Sequence, residues 1–108
     1  MLSDKATTEK GKHLRDYELT LIINPEVSDE KFEAAIDNVS RYITEKGGAI
    51  SDIERWGKRR LAYPIKRFIE GNYVLTKFKL EPAFGKELEA NLQISEDVLR
   101  HLLIKLDS

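Results

Sequence analysis

The chain contains no cysteine. Disulfides and thiolate metal sites are therefore excluded, and the composition suits a reducing compartment. No apolar run reaches the ~18 residues that a transmembrane helix needs. The N-terminal residues carry no apolar stretch, so no secretory signal is expected. Only two histidines occur, His13 and His101. No His, Asp and Glu fall at the spacing of a metal site. No glycine-rich loop precedes a helix-like segment; Gly47-Gly48 follows one, the reverse of a phosphate loop. Net charge is −1, which argues against a general nucleic-acid binder.

What is present suits one globular domain. The chain has 108 residues, of which 41% are hydrophobic. A domain of this size buries roughly 60–65% of its unfolded surface. That supplies one core and leaves little room for a deep catalytic pocket. The small net charge conceals polarity. Residues 16–46 hold eight acids and three bases, whereas residues 52–70 hold six bases and three acids. One part of the molecule can approach phosphates while another repels them.

Hydrophobic periodicity gives the element order. Residues 1–15 are polar and lack a helix or strand period, so they are expected to form a flexible arm. From Asp16 to Asn24 the chain alternates. Tyr17, Leu19, Leu21 and Ile23 face one way, and Glu18, Thr20 and Ile22 the other. Asn24-Pro25 ends this strand. Ser28 reads as a helix N-cap, with Asp29 and Glu30 complementing the helix dipole. Val27 and Phe32 hold the positions of a hydrophobic staple. Phe32, Ile36, Val39 and Ile43 form one apolar stripe, beside Ala35, and Gly47-Gly48 closes a helix over about residues 29–46.

Ala49 to Ile65 is β-rich, with Gly57 as a bulge or bend. Residues 67–71 are expected to connect a hairpin. From Tyr73 to Leu80 the alternation returns, and Pro82 stops it. Phe84, Leu88 and Leu92, spaced by four, mark a second helix over about residues 83–93. Val98 to Leu106 reads as a last strand with apolar residues on both faces, so pattern alone does not choose its inward face. The order β-α-β-β-α-β predicts an α+β, ferredoxin-like domain over residues 16–108. Its four-stranded antiparallel sheet would carry both helices on one face. Glu18, Thr20, Ile22, Tyr73, Leu75 and Lys77 would then lie on the open face, a mixed surface suited to a protein partner.

The densest chemical signal is Trp56-Gly57-Lys58-Arg59-Arg60-Leu61-Ala62-Tyr63-Pro64-Ile65. Three adjacent cations on a stiff β element make a rigid phosphate-binding surface; the plainer reading is a strand whose solvent side happens to be basic. Trp56 either anchors the strand end against the core or contacts a partner. Tyr63-Pro64-Ile65 sets the strand end and hairpin entry. His101, in an apolar strand, reads as a packed or edge residue. Catalytic readings are poor: Asp29-Glu30 belongs to a helix first turn. The topology is shared with small acylphosphatases, but no Arg and Asn pair stands out.

The ten-residue segment resembles the signature of the family of small-subunit ribosomal protein number six of bacteria and organelles. Tyr17-Glu18 with Asn24-Pro25 resembles that family's opening. Gly71-Asn72-Tyr73-Val74-Leu75 resembles its third strand, and Val98-Leu99-Arg100 with Lys105 its last. The likeness spans roughly residues 16–106; an arm of this length departs from the family pattern. The resemblance implies a structural, non-enzymatic constituent of the ribosome in the cytoplasm. It would bind the central domain of small-subunit rRNA together with ribosomal protein number eighteen. No cofactor, metal, membrane or small-molecule substrate is implied.

By the same resemblance Lys58, Arg59 and Arg60 face the assembly. Arg67 joins them on charge, and Arg100 on the matching last-strand arginine. Trp56, Tyr73 and Leu75 are the candidate partner contacts. The competing reading is an RRM-like single-stranded RNA-binding module, which stacks bases on third-strand aromatics. Tyr73 and Phe78 differ in parity, and Glu70-Gly71-Asn72-Tyr73-Val74-Leu75 lacks the basic-Gly-aromatic-Gly-aromatic pattern, which counts against it.

Overall fold

Alternation along one central strand decides which way the whole sheet faces. The computed structural model describes residues 13–106, so residues 1–12 of the expected arm lie outside the described residues. The elements are β1 (Arg15–Ile23), α1 (Asp29–Glu45), β2 (Ala49–Ile65), β3 (Phe68–Leu80), α2 (Pro82–Gln93) and β4 (Val98–Leu106). The strands form one antiparallel sheet in the order β2-β3-β1-β4. This is the expected ferredoxin-like architecture.

Tyr17, Leu19, Leu21 and Ile23 of β1 are buried, as are Val74, Phe78 and Leu80 of β3. They share a core with Ile36, Val39 and Ile43 of α1 and with Leu88 and Leu92 of α2. Both helices therefore cover the same sheet face. Within it, the cross-strand partners Tyr17 and Phe78 stack at 5.6 Å between ring centroids. Neither helix would persist alone; each is held by its apolar stripe.

The helix ends follow the local chemistry. The Ser28 hydroxyl accepts from the Lys31 amide at 3.2 Å, and Val27 and Phe32 both pack against the core. At the other end Gly47 takes φ +86°. The Gly47 amide donates to the Thr44 carbonyl and the Gly48 amide to that of Ile43, which together make a Schellman cap. Pro82 opens α2, where its missing N–H costs nothing. Tyr42 ties the helices together, its hydroxyl donating to the Phe84 carbonyl and to the Glu87 carboxylate. Burial first, and then that carboxylate, push its phenol well above the ordinary tyrosine range.

β4 resolves what its pattern left open. His101 and Leu103 stand opposite Leu21 and Leu19 and so face the helices. Arg100, Leu102, Ile104 and Leu106 take the open face. His101 is half-buried, with its Nε2 3.6 Å from Glu89 of α2.

The hairpin connection corrects the expectation of residues 67–71. Ile65 pairs with Phe68, leaving a two-residue turn of Lys66 and Arg67, with Lys66 at φ +58°. Gly71 is inside β3 for a tertiary reason. A Cβ there would lie 2.3 Å from Cγ2 of Ile22, so only glycine lets β1 approach this closely.

Candidate nucleic-acid interface

The β2–β3 hairpin outruns the rest of the sheet. β1 follows β3 only as far as Asn72, and Phe68, Glu70 and Gly71 pair with β2 alone. Two irregularities shape this projecting arm. At the first, the register shifts between Arg55 and Gly57, leaving Trp56 without a partner on β3. Gly57 has φ +81°, which a side chain would strain. At the second, Arg60 pairs with Glu70 and Ile65 with Phe68, so Leu61, Ala62, Tyr63 and Pro64 bulge out against Ile69 alone. Pro64 has no ladder donor to lose there.

Lys58, Arg59 and Arg60 lie on the arm between these irregularities, all exposed. None of them takes part in a salt bridge among the described residues. Alternation does not keep them together. Arg59 stands opposite Gly71 on the open side of the ribbon, whereas Lys58 and Arg60, opposite Asn72 and Glu70, take the other side. Arg67 occupies the turn, its guanidinium 4.7 Å over the Phe68 ring and 3.6 Å from the Glu26 carboxylate.

Trp56 is not a core anchor. The residue is 44% exposed, and its ring lies on the open face and stacks on Tyr73 at 6.5 Å and 9°. Its indole N–H donates to Glu54 at 2.9 Å, and the Arg59 guanidinium lies 5.5 Å above it. Glu54 is held below the ordinary carboxylate range, first of all by that indole hydrogen bond. Leu75 is half-buried on the same face, flanked by Thr20 and Glu54 in register. The structure thus gathers exposed Trp56 and half-buried Tyr73 and Leu75 on one part of the open face, beside Arg59. Phe78 is buried in the core instead, so no pair of third-strand aromatics faces solvent.

Arg100 reaches this surface from the far edge. Its Nη1 donates to the Tyr63 hydroxyl, and its guanidinium lies 5.9 Å over the Tyr63 ring. The bulged segment is thereby strapped across the open face to β4. Beneath it is a cleft of about 240 Å³ whose lining includes Thr20, Ile22, Leu61, Tyr63, Tyr73 and Arg100. Leu61 is buried, adjacent to Gly71.

Sequence reasoning assigned Tyr63 to the strand end and gave Leu102, Ile104 and Leu106 no role. All four are exposed, the last three as an apolar row on the open face of the edge strand. Pro64 inside a strand-like run was the available signal for a bulge. Among the described residues no group of three His, Asp or Glu could hold a metal, and no helix is long and apolar enough to cross a membrane.

Comparison with known proteins points to one family. A family model described as ribosomal protein S6 matches residues 16–105. The small ribosomal subunit protein bS6 of Dehalococcoides mccartyi (strain CBDB1) is 39% identical over 99% of this chain and 98% of its own. That alignment reaches into the N-terminal residues, which therefore have counterparts in this relative. The bS6 of Desulforamulus reducens is 44% identical over 85% of this chain and 97% of its own. The crystal structure of 30S ribosomal protein S6 from Thermotoga maritima superposes with a TM-score of 0.81 at 33% identity, over 86% of this chain and 88% of that one.

Proposed function

The chain belongs to the ribosomal protein S6 family of the small ribosomal subunit, and from that premise we propose that it is a structural constituent which binds the central domain of small-subunit rRNA jointly with ribosomal protein number eighteen. The observation that carries this reading is the exposed cationic arm, which projects past β1 beside an open, partly apolar sheet face. Phosphate contacts fall to Lys58, Arg59, Arg60, Arg67 and Arg100. Trp56, Tyr73 and Leu75 meet the protein partner. The binding unit starts with β1, at Arg15 rather than at Asp16 as the alternation suggested, and the residues before it are an appended arm.

Mechanism follows from charge and shape. A net charge of −1 gives the whole chain little attraction for RNA. The cations of the arm must therefore be oriented by a second contact before they add affinity, and the open face supplies it. Arginine grips phosphate bidentately, so Arg59 and Arg60 set geometry while Lys58 adds a point charge. Binding should be weak for the chain alone and tight with its partner. Filter binding to a central-domain rRNA fragment, with and without ribosomal protein number eighteen, tests this. Tight binding of unstructured oligonucleotides by the lone chain would favour the RRM-like reading instead.

A further inference from the structure

We propose that the cleft beneath the bulged segment 61–64 takes one unpaired nucleotide, its base inserted beside Tyr63 and Tyr73 and its phosphate outside against Arg100. The proposal rests on the RNA-binding reading above and gives it a specific contact. Three observations support it.

The first is the wall chemistry. Two tyrosine rings, Leu61 and Ile22 line the cleft, and Thr20 brings a hydroxyl to it. Flat, mostly apolar walls with a few hydrogen-bonding groups suit a splayed base, which offers a π face and a polar edge.

The second is charge. The lining holds Arg100 and His101 and no carboxylate. The open-face acids Asp16, Glu18, Asp52 and Glu54 lie farther along the sheet, and Glu54, the one that reaches toward the site, is held on the Trp56 indole rather than in the cleft. Arg100 uses one donor on Tyr63 and keeps others for a phosphate. On the β2 side, Arg59 covers Trp56, and Trp56 stacks on Tyr73. An aromatic–cation pair therefore stands on each side of the cleft, as an anionic backbone with an aromatic base requires. An apolar side chain from a protein would fill the same space and leave Arg100 without a counter-charge.

The third is size. About 240 Å³ falls below the ~300–1,000 Å³ of ordinary small-molecule sites. The cleft holds one planar ring system and excludes a run of stacked bases.

The test titrates the full chain with adenosine and uridine monophosphates, with ribose phosphate as control, followed by amide NMR. Shifts at Thr20, Ile22, Leu61 and Leu102 are expected with the nucleotides and absent with ribose phosphate. Thr20→Phe adds a ring on the cleft floor and should weaken nucleotide binding at least about five-fold, the low end of base-stacking strength. Arg100→Gln removes both the phosphate contact and the strap to Tyr63, so it is compared with Tyr63→Phe, which breaks only the strap; Arg100→Gln should weaken nucleotide binding more than Tyr63→Phe does. Equal shifts with ribose phosphate would reduce the site to a phosphate contact and overturn the proposal, as would no shift with any probe. If the chain bound to its partner protein, free of RNA, no longer takes up the nucleotides, the partner fills the cleft and the proposal falls. The wider reading fails differently: the unaltered chain with its partner would then show no salt-dependent rRNA binding.

Discussion

The two faces of the four-stranded sheet are built from alternate residues of the same strands, yet they do opposite work. On the helix side, β1 contributes Tyr17, Leu19, Leu21 and Ile23, all buried under α1 and α2. On the open side it contributes Glu18, Thr20 and Ile22, which are only half-buried. β2 shows the contrast most sharply. Arg55 faces α1 and holds Glu33 with two hydrogen bonds, at 3.0 and 2.8 Å, while Trp56, one residue on, lies against Tyr73 in solvent. The buried core lies on the covered face, whereas the function proposed above places recognition on the open face and on the arm. Changes on the two faces should therefore separate folding from binding.

The strongest challenge to that division removes the cations of the arm. If Lys58, Arg59, Arg60 and Arg67 each neutralise one phosphate, changing all four to Ala should lower the salt slope of the joint rRNA complex by about 3 log units per log unit of salt, at ~0.7–0.9 per phosphate. Thermal stability should hardly move. An unchanged slope in filter binding would place the arm away from RNA.

The next test strikes the covered face. Ile36→Ala and Leu88→Ala each truncate a buried side chain in mid-stripe and should cost about 2–5 kcal/mol in denaturant melts. A cost under about 0.5 kcal/mol would mean that the helix stripes are not the core. Neither variant should alter the salt slope while the protein remains folded. Single replacements in the arm reverse the pattern. Arg59→Ala or Arg60→Ala should weaken the joint complex and leave stability within about 0.5 kcal/mol, because both side chains are exposed.

The smallest effect sharpens the contrast at Arg55. Its hydrogen bonds hold the Glu33 carboxyl below the ordinary glutamate range. A depressed folded pKa contributes stability that is present above the unfolded value and lost as pH falls through the folded one. Arg55→Gln should return Glu33 toward its ordinary range in an NMR titration and remove that acid-side dependence. A Glu33 titration that ignores the substitution would dissociate the pair.

Most of this architecture could be read in advance because its causes are local. The Ser28 cap, the α1 stripe and the alternation of β1 and β3 each depend on neighbours a few residues away. The span of β4 was legible for the same reason, although its inward face required the register with β1. Where the cause was tertiary, sequence misled. Gly71 looked like part of a turn, but it is glycine because Ile22 of another strand presses against it. Trp56 remained open between two roles because its neighbour on the sheet, Tyr73, is distant in sequence. Tyr63 was passed over for a similar reason, since the bond that gives it a place comes from Arg100, 37 residues away. The cationic residues could be listed by charge, but not their division between the two sides of the ribbon.

The placement of β1 between β3 and β4 also fixes an order in time. β3 is complete at Leu80, but the second edge of β1 stays unpaired until the chain has been made through Leu106. At ~5–20 residues per second that interval lasts roughly 1–5 s during synthesis. Throughout it the central strand presents a row of free backbone donors and acceptors, the kind of edge that recruits other chains. The last nine residues of the fold thus act as a closure, turning β1 from an open edge into one of the two interior strands of the finished sheet.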